Sequence, residues 1–466
     1  MDEIAHSSLM ELISGIRNGR YTCADVTSTF INRILELDGK TSAYVSVYAD
    51  EALLHARAAD LMLKRGMPSS MLLGLPIALK DICEIEGHAT SAGSPAWINR
   101  ISNQTSEIYK QLASAGMIVI GKTHMVEFSA GGVGTNPLMG TPRNPWDWNH
   151  HRIPGGSSSG SAVAVAAGLA PVAIGSDTGG SVRIPSALNN LTGLKTTFGR
   201  ISMRGNVPLS PSLDSIGILS RSALDSALIL GVLHDSRFYG LDDSSLAMMA
   251  ESLLPAKQIV SNLKIAVLQE EAYPCEIDDD VRQVMNDTVR TFKSFGIDVV
   301  DGSFPLDFSE MKDANGLIAM TEAYHIYREY VENPESPMNP YVRNRILTGK
   351  NIPARTFLSA LERRQACIDI FKEWMKSYDF LLTPTTPFPA CPIESTITDH
   401  IAIGSFTRAV NYLNTCAISL PAGFSNEGLP IGVQIISAAH QENLLLSIGH
   451  LFQSHTNWHK HIPAIH

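Results

Sequence analysis

Along the first 64 residues the apolar positions recur every three to four residues. Leu9, Leu12, Ile13 and Ile16 keep helical spacing behind a Ser7–Ser8 cap, and Val26, Phe30, Ile34 and Leu37 repeat it. The Ala/Leu-rich run from Asp50 to Lys64 predicts a third helix. Residues 7–64 therefore read as helices, a cover that carries no chemistry. The rhythm changes in LLGLPIALKDI, residues 72–82. There Leu75, Ile77 and Leu79 alternate with Pro76, Ala78 and Lys80, the period of a strand. A helix over 105–115 and a short buried strand over 117–121 follow. Residues 128–150, rich in Gly, Pro and Asn, predict a long loop of the kind that lines a site. Ser161 to Leu169 predicts a helix of small residues capped by serines, and 171–175 a short buried strand.

The second half alternates more regularly. Residues 236–260 are polar and irregular and read as a connection. A strand at 264–268, a helix at 278–295 and a strand at 297–300 make a βαβ unit. Helices over 309–331 and 353–377 flank a polar Pro/Asn loop, and strands are predicted near 379–383, 416–420 and 430–436. A closing helix spans 444–452, before a tail holding His455, His459, His461 and His466 that reads as surface.

At 466 residues the chain can hold one large α/β domain or two or three smaller ones. An apolar share of 44% with 18% charged residues is ordinary for a globular enzyme. A net charge of −10 argues against nucleic-acid binding, since no basic stripe tracks a phosphate backbone. No apolar run reaches the roughly 18 residues of a spanning helix, so no membrane is expected. The opening MDEIAHSS lacks a basic stretch and an apolar core, so no signal peptide is expected. Cys23, Cys83, Cys275, Cys367, Cys391 and Cys416 form no CxxC pair and predict reduced thiols in a cytoplasmic protein. His150 and His151 are adjacent, a poor spacing for two ligands of one metal.

Chemistry concentrates between Pro154 and Lys195. Two loops, GGSSSGS at 155–161 and DTGGS at 177–181, crowd hydroxyls and bare backbone N–H groups into two places. An acyl-transfer site needs such groups: a serine nucleophile, a relay for its proton and donors for an oxyanion. The stretch holds no histidine, so the base comes from elsewhere. Lys80 ends an apolar strand. It is either an edge lysine reaching water or a desolvated lysine kept neutral by burial. A competing pattern sits at Gly116 to Thr123, which matches GxxxxGK[ST] letter for letter. A phosphate loop needs a flexible turn, whereas Met117, Ile118, Val119 and Ile120 favour a strand. A nucleotide-binding protein is the reading that would follow from that match, with nucleotide-dependent stabilisation as its sign.

Taken together, Lys80 in PIALKDI, the GGSSSGSA loop and SDTGGSVRIPSA resemble the amidase signature family, with its Ser–cisSer–Lys catalytic set. KTHMVEFSAGG at 122–132, PSLDSIG at 211–217, LLTPTTP at 381–387 and LPIGVQII at 429–436 extend the resemblance over nearly the whole chain. It implies an α/β fold, a large mixed β-sheet sandwiched between helices in one domain. Residues 1–70 would be a helical cover, 71–235 the signature core and 236–466 the part shaping the substrate pocket.

By the same resemblance Ser181 is the nucleophile, Ser157 the cis-serine and Lys80 the base, with a cis peptide between Gly156 and Ser157. The N–H groups of Thr178, Gly179, Gly180 and Ser181 are placed to hold an oxyanion. Ser158 is expected to support the relay, Ser159 to be a solvated or capping serine, Asp177 to fix the loop and Arg183 to be structural. No metal or cofactor is implied. The substrate would be a small amide, carbamate or urea-like molecule; Asn189–Asn190 resembles allophanate hydrolases and leans slightly that way. Met125, Thr135, Ser158, Thr321, Tyr324 and Arg364 are candidate substrate contacts, with Arg364 placed like a carboxylate-binding arginine. Homodimers are usual among relatives. The alternative within the family is an A-type subunit of a glutamyl-tRNA(Gln) amidotransferase, a glutaminase working in a complex.

Overall fold

The computed structural model describes residues 2–67, 69–234, 262–395 and 402–465. The helical cover comprises α1 (Asp2–His6), α2 (Leu9–Arg17), α3 (Cys23–Thr41) and α4 (Ala49–Lys64). Ser8 caps α2 as the sequence suggests, its side chain accepting from Glu11 N while Glu11 reaches back. A strand, β1 (Tyr44–Val47), interrupts the run that reads as helix. Ser42 turns left-handed, Asp38 accepts from Ala43 N at 2.7 Å, and Tyr44–Val47 then pairs antiparallel with residues 121–123. Pairing with a distant strand overrides local propensity here.

The core follows as β2 (Pro76–Lys80), α5 (Glu107–Ser114), β3 (Ile118–Thr123), α6 (Ser159–Ala166), β4 (Val172–Asp177) and α7 (Arg183–Leu188). Next come β5 (Thr192–Lys195), β6 (Ser215–Ser220) and α8 (Ala223–His234). The 236–260 connection lies outside the described residues. Beyond it run β7 (Lys264–Leu268), α9 (Asp279–Ser294), β8 (Asp298–Gly302), α10 (Phe308–Glu332), α11 (Pro340–Leu347) and α12 (Ala354–Trp374). The chain closes with β9 (Phe380–Pro384), α13 (Arg408–Tyr412), β10 (Cys416–Phe424), β11 (Pro430–Ser437) and α14 (Glu442–His455). The helix α11 falls in the expected Pro/Asn loop. Asn339 caps it, Pro340 occupies its first turn, and Val342 and Ile346 bury one face.

The eleven strands of the described residues join one mixed sheet, in the order β1-β3-β2-β4-β6-β5-β10-β11-β9-β7-β8. The predicted βαβ unit is present, with β7 and β8 parallel. The segment that matches a phosphate loop is strand β3, parallel to β2. Lys122 Nζ is pinned by Ala89 O at 2.8 Å and by Thr90, 3.5 Å from Asp81. The histidine tail lies at the surface as expected, with His455 and His461 exposed and His459 half-buried. Asn190 Nδ2 donates to Trp458 O and His461 O, and burial lowers the His459 pKa to about 4. His466 lies outside the described residues.

Every residue of α6 is buried, and the helix packs on β2, β3 and β4. Arg33 of α3 donates to Ala167 O and Gly168 O at its C-terminal end. Only small side chains allow this depth: a Cβ on Gly160 would lie 2.3 Å from Ala43 O and 2.5 Å from His124 N. Gly160→Ala is therefore expected to lower stability by roughly 3 kcal/mol. Gly39→Ala, on an exposed turn of α3 with nothing within 4 Å, should raise it by about 0.5–1 kcal/mol. Urea midpoints of the two variants against wild type check both signs.

Candidate active site

Strands β2 and β4 run side by side and parallel, Leu79 opposite Ile174, so their C-terminal ends deliver Lys80, Ser176 and Asp177 to one place. Lys80 is fully buried. Its Nζ lies 2.7 Å from Ser157 Oγ and 2.8 Å from Ser176 Oγ. Burial lowers its pKa to about 7 against the opposing pull of Asp214 and Asp177. Of the two sequence readings of Lys80, the desolvated lysine is the one present. Ser176 is not among the sequence candidates, although it belongs to SDTGGS; its strand position turns its hydroxyl to the lysine.

The Gly156–Ser157 peptide is cis, as the resemblance implies. Gly156 N donates to Gly132 O at 2.7 Å, Val126 N to Ser157 O at 3.1 Å, and Ser158 N to Ser181 O at 3.2 Å. The last bond ties the two serine loops together. Ser158 Oγ donates to Ser176 O at 3.3 Å and accepts from Ser176 N at 3.4 Å. It thereby holds the serine that contacts Lys80 and does not cap α6. Ser159 matches neither expectation: its hydroxyl is buried and has no hydrogen-bond partner among the described residues.

The DTGGS loop is held from beneath by a buried network. Asp177 accepts from Gly180 N at 2.7 Å, Val182 N at 3.1 Å and Arg183 Nη2 at 2.8 Å. Arg183 also donates to Gln434 at 2.5 Å and Asn411 at 2.6 Å, and Asn411 donates to Asp177 O at 2.8 Å. The Arg183 charge holds the Asp177 carboxyl well below the usual carboxylate range although burial alone would raise it. Gly180 N–H is thus engaged by Asp177, which removes it from the expected oxyanion donors. The N–H groups of Thr178, Gly179 and Ser181 have no acceptor among the described residues. Gly180 has a φ of +123°, and a Cβ there would meet Thr407 Oγ1 at 2.2 Å, so glycine is required. Thr178 Oγ1 donates to Asp214 at 2.5 Å, and burial raises the Asp214 pKa to about 6.

Ser181 is 8% exposed and faces a narrow cavity of ≈ 40 Å³. Gly131 and Gly132 of the 128–150 loop form one wall, as that loop's composition predicts. Asn315 and Met320 of α10, Arg345 of α11 and Arg408 of α13 form the other. None of these four is a sequence candidate. Arg345 lies on a helix hidden in an apparent loop, and no local pattern marks Arg408.

The candidate substrate contacts Met125, Thr135, Ser158, Thr321, Tyr324 and Arg364 do not line this cavity. Tyr324 Oη donates to Glu332 at 2.6 Å, and Thr321 Oγ1 to Leu317 O at 2.8 Å. Arg364 donates to the carbonyls of Tyr412, Ser212 and Asn411 at 2.8, 3.2 and 3.2 Å, a brace between helices. Helical spacing identifies the right segments but not which side chains turn inward. Asn189 donates to Pro154 O and Pro185 O at 2.7 and 2.8 Å, so the asparagine pair is structural. Among the described residues no group of three or more His, Cys, Asp or Glu side chains is placed to hold a metal ion. No helix among them is long and apolar enough to cross a membrane.

With this geometry in hand, comparison with known proteins is decisive on family. Residues 25–446 match the family model described as Amidase. The chain belongs to the amidase signature family. An A-type subunit of glutamyl-tRNA(Gln) amidotransferase from Alcanivorax borkumensis is 35% identical, with 98% of each chain covered. A chain of a vestigial protein complex, solved for what it reveals of the origins of an s-triazine catabolic enzyme, superposes with a TM-score of 0.86. It is 30% identical over 96% of this chain and 98% of that one. The corresponding glutamyl-tRNA(Gln) amidotransferase subunit of Thermotoga maritima gives a TM-score of 0.75 at 27% identity over 95% and 93%. The α/β architecture with a large mixed sheet is the amidase-signature fold, and the protein is an amidase-signature hydrolase.

The Asp177–Arg183 pair is fully buried in this hydrolase, so removing one charge strands the other. Asp177→Asn is expected to cost about 3–5 kcal/mol of stability, read as a lower denaturant midpoint.

Proposed function

We propose that the enzyme cleaves the C–N bond of a small amide, carbamate or urea-like substrate through an acyl-enzyme on Ser181. The observation that carries this reading is a fully buried lysine, its pKa lowered to about 7, with Nζ 2.7 Å from Ser157 Oγ. As a neutral amine Lys80 has one lone pair and two N–H bonds. The lone pair accepts the Ser157 proton while an N–H donates to Ser176, so the second contact orients the first. Ser157 in turn takes the proton of Ser181 as Ser181 Oγ bonds to the substrate carbonyl carbon. The N–H groups of Thr178, Gly179 and Ser181 receive the negative oxygen in a largely buried site. The relay returns the proton to the leaving nitrogen, the C–N bond breaks, and water releases the acid by the same steps. The relay uses no metal or cofactor, and the small cavity supports a substrate of few atoms. Cys23, Cys83, Cys275, Cys367 and Cys416 are free thiols, which fits a reducing, cytoplasmic setting.

The second reading is a component that works in an assembly, favoured by the 35% identical relative named as an amidotransferase subunit. The purified chain acting alone on small amides would set that reading aside.

Brief treatment with serine-directed phosphonyl probes, followed by intact mass, tests the assignment. A single adduct on Ser181, absent from Ser181→Ala, is expected. A wild-type chain left unlabelled by probes of several sizes would overturn it and bring the assembly reading forward. Because only neutral Lys80 has a free lone pair, kcat/KM should fall as pH drops and rise through an apparent pKa of about 7. Lys80→Met is expected to lower kcat roughly 10²–10⁴-fold and to remove that rising limb.

A further inference from the structure

Helix α10 presents one side to the nucleophile loop. Asn315, Gly316, Ala319 and Met320 line the Ser181 cavity, and Glu322 and Tyr327 follow at helical spacing from them. Asn315 Nδ2 donates to Thr178 O at 3.2 Å, so the helix grips the DTGGS loop directly. A second route runs through residues 208–214, which carry the start of the PSLDSIG motif and have no part in the relay. This segment is irregular, leads into β6 and places Leu209 on the cavity wall. Its only internal order is a turn, in which Leu213 N and Asp214 N donate to Ser210 O at 3.0 and 2.8 Å, and the Asp214 carboxylate.

A segment with so little order of its own takes its position from what surrounds it. Tyr327 Oη donates to Pro208 O at 2.5 Å. The Glu322 carboxylate accepts from Ser210 Oγ at 2.6 Å, Ser212 N at 3.1 Å and Ser212 Oγ at 2.7 Å. Arg364 lies near enough to interact with the Glu322 charge, yet its own hydrogen bonds go to carbonyls, one of them Ser212 O. The carboxylate is therefore committed to the two serines, in the short charge-assisted bonds that fix geometry best. Beyond them, one Asp214 oxygen accepts from Leu209 N at 2.8 Å and Ser210 N at 3.0 Å, and the other from Thr178 Oγ1 at 2.5 Å. Hydrogen bonds thus run without a break from Glu322 through Ser210 and Asp214 to Thr178. Thr178 is held at its carbonyl by Asn315 and at its hydroxyl by this chain, so its N–H cannot turn without breaking one of them.

We propose that Glu322 is a positioning residue for the reaction: it fixes the 208–214 segment and, through Asp214 and Thr178, aims the oxyanion donors beside Ser181. The proposal rests on Ser181 being the nucleophile and on those N–H groups receiving the negative oxygen. The oxyanion exists only once Ser181 has begun to attack, so donors that are misaimed weaken the transition state and leave substrate binding almost unchanged. The loss belongs in kcat rather than KM. Helix α10 then has two tasks, lining the space for substrate and setting the loop that reacts with it.

The test uses the full chain as wild type, Glu322→Ala, Glu322→Gln and the double variant Ser210→Ala/Ser212→Ala. Two rates are read: phosphonylation of Ser181, and turnover of the best cleaved of propionamide, benzamide and methyl carbamate. Turnover is divided by the number of sites that the phosphonyl probe finally labels, so a fraction of unfolded chains does not count. Glu322→Ala is expected to lower both rates roughly 10- to 100-fold, with KM changed by less than about threefold. Glu322→Gln, which can still meet both serine hydroxyls, should recover part of the loss. The double serine variant should match Glu322→Ala, and adding Glu322→Ala to it should cost no more than about threefold further. Rates per labelled site that stay at the wild-type level, or losses that simply add, overturn the positioning role and leave the catalytic reading standing. If wild type is left unlabelled and cleaves none of the three, the catalytic reading has failed. The Thr178 methyl resonance, assigned with Thr178→Ser, then decides the coupling. A shift in Glu322→Ala that reverts in Glu322→Gln supports it, and an unmoved resonance overturns it.

Discussion

The burial of one lysine shapes the candidate active site. Lys80 sits at the end of a strand that is buried along its whole length, where an ammonium is strongly disfavoured. The protein does not neutralise it with a direct carboxylate. It surrounds Nζ with two serine hydroxyls and keeps Asp177 and Asp214 near but occupied elsewhere. A direct ion pair would hold the lysine charged and useless as a base. Two hydroxyls satisfy a neutral amine equally well, so the arrangement makes burial tolerable and leaves the lone pair that the proposed mechanism requires.

Rigidity around the serines has a comparable origin. The DTGGS loop has glycines where its backbone must approach other groups closely, and such a loop has little order of its own. Asp177, Arg183, Asn411 and Gln434 supply that order through buried, mutually satisfied hydrogen bonds. The members come from β4, α7, α13 and β11, so the loop is fixed by segments more than two hundred residues apart. A network of this kind specifies one geometry because each unsatisfied member would be expensive.

The two halves of the chain have different duties at the cavity. Lys80, Ser157, Ser176 and Ser181 all come from the first half. Asn315, Met320, Arg345 and Arg408 come from the second and face the space a substrate would enter. Variation in the second half can therefore alter what lines the cavity while the Lys80–serine cluster stays unchanged. This is a physical route by which one fold accommodates relatives that differ in what they act upon.

Local pattern determined a good deal. Alternation at 75–80, the βαβ rhythm at 264–300 and the serine cap at Ser8 are consequences of nearest-neighbour geometry, and each is present. The serine loops were legible because glycine and hydroxyl residues crowded into a few positions leave few other readings. The sequence also contained enough to reject the phosphate-loop match, since β-branched residues resist the turn it requires. What it could not carry was long-range: strand Tyr44–Val47 exists through its pairing with β3, and α11 through burial of Val342 and Ile346. The diversion of Gly180 N–H to Asp177, the turn of Ser176 toward Lys80 and the inward aim of Arg408 rather than Arg364 are likewise tertiary. Spacing along a chain says which residues share a helix face, but which face meets the site is decided only when distant elements pack.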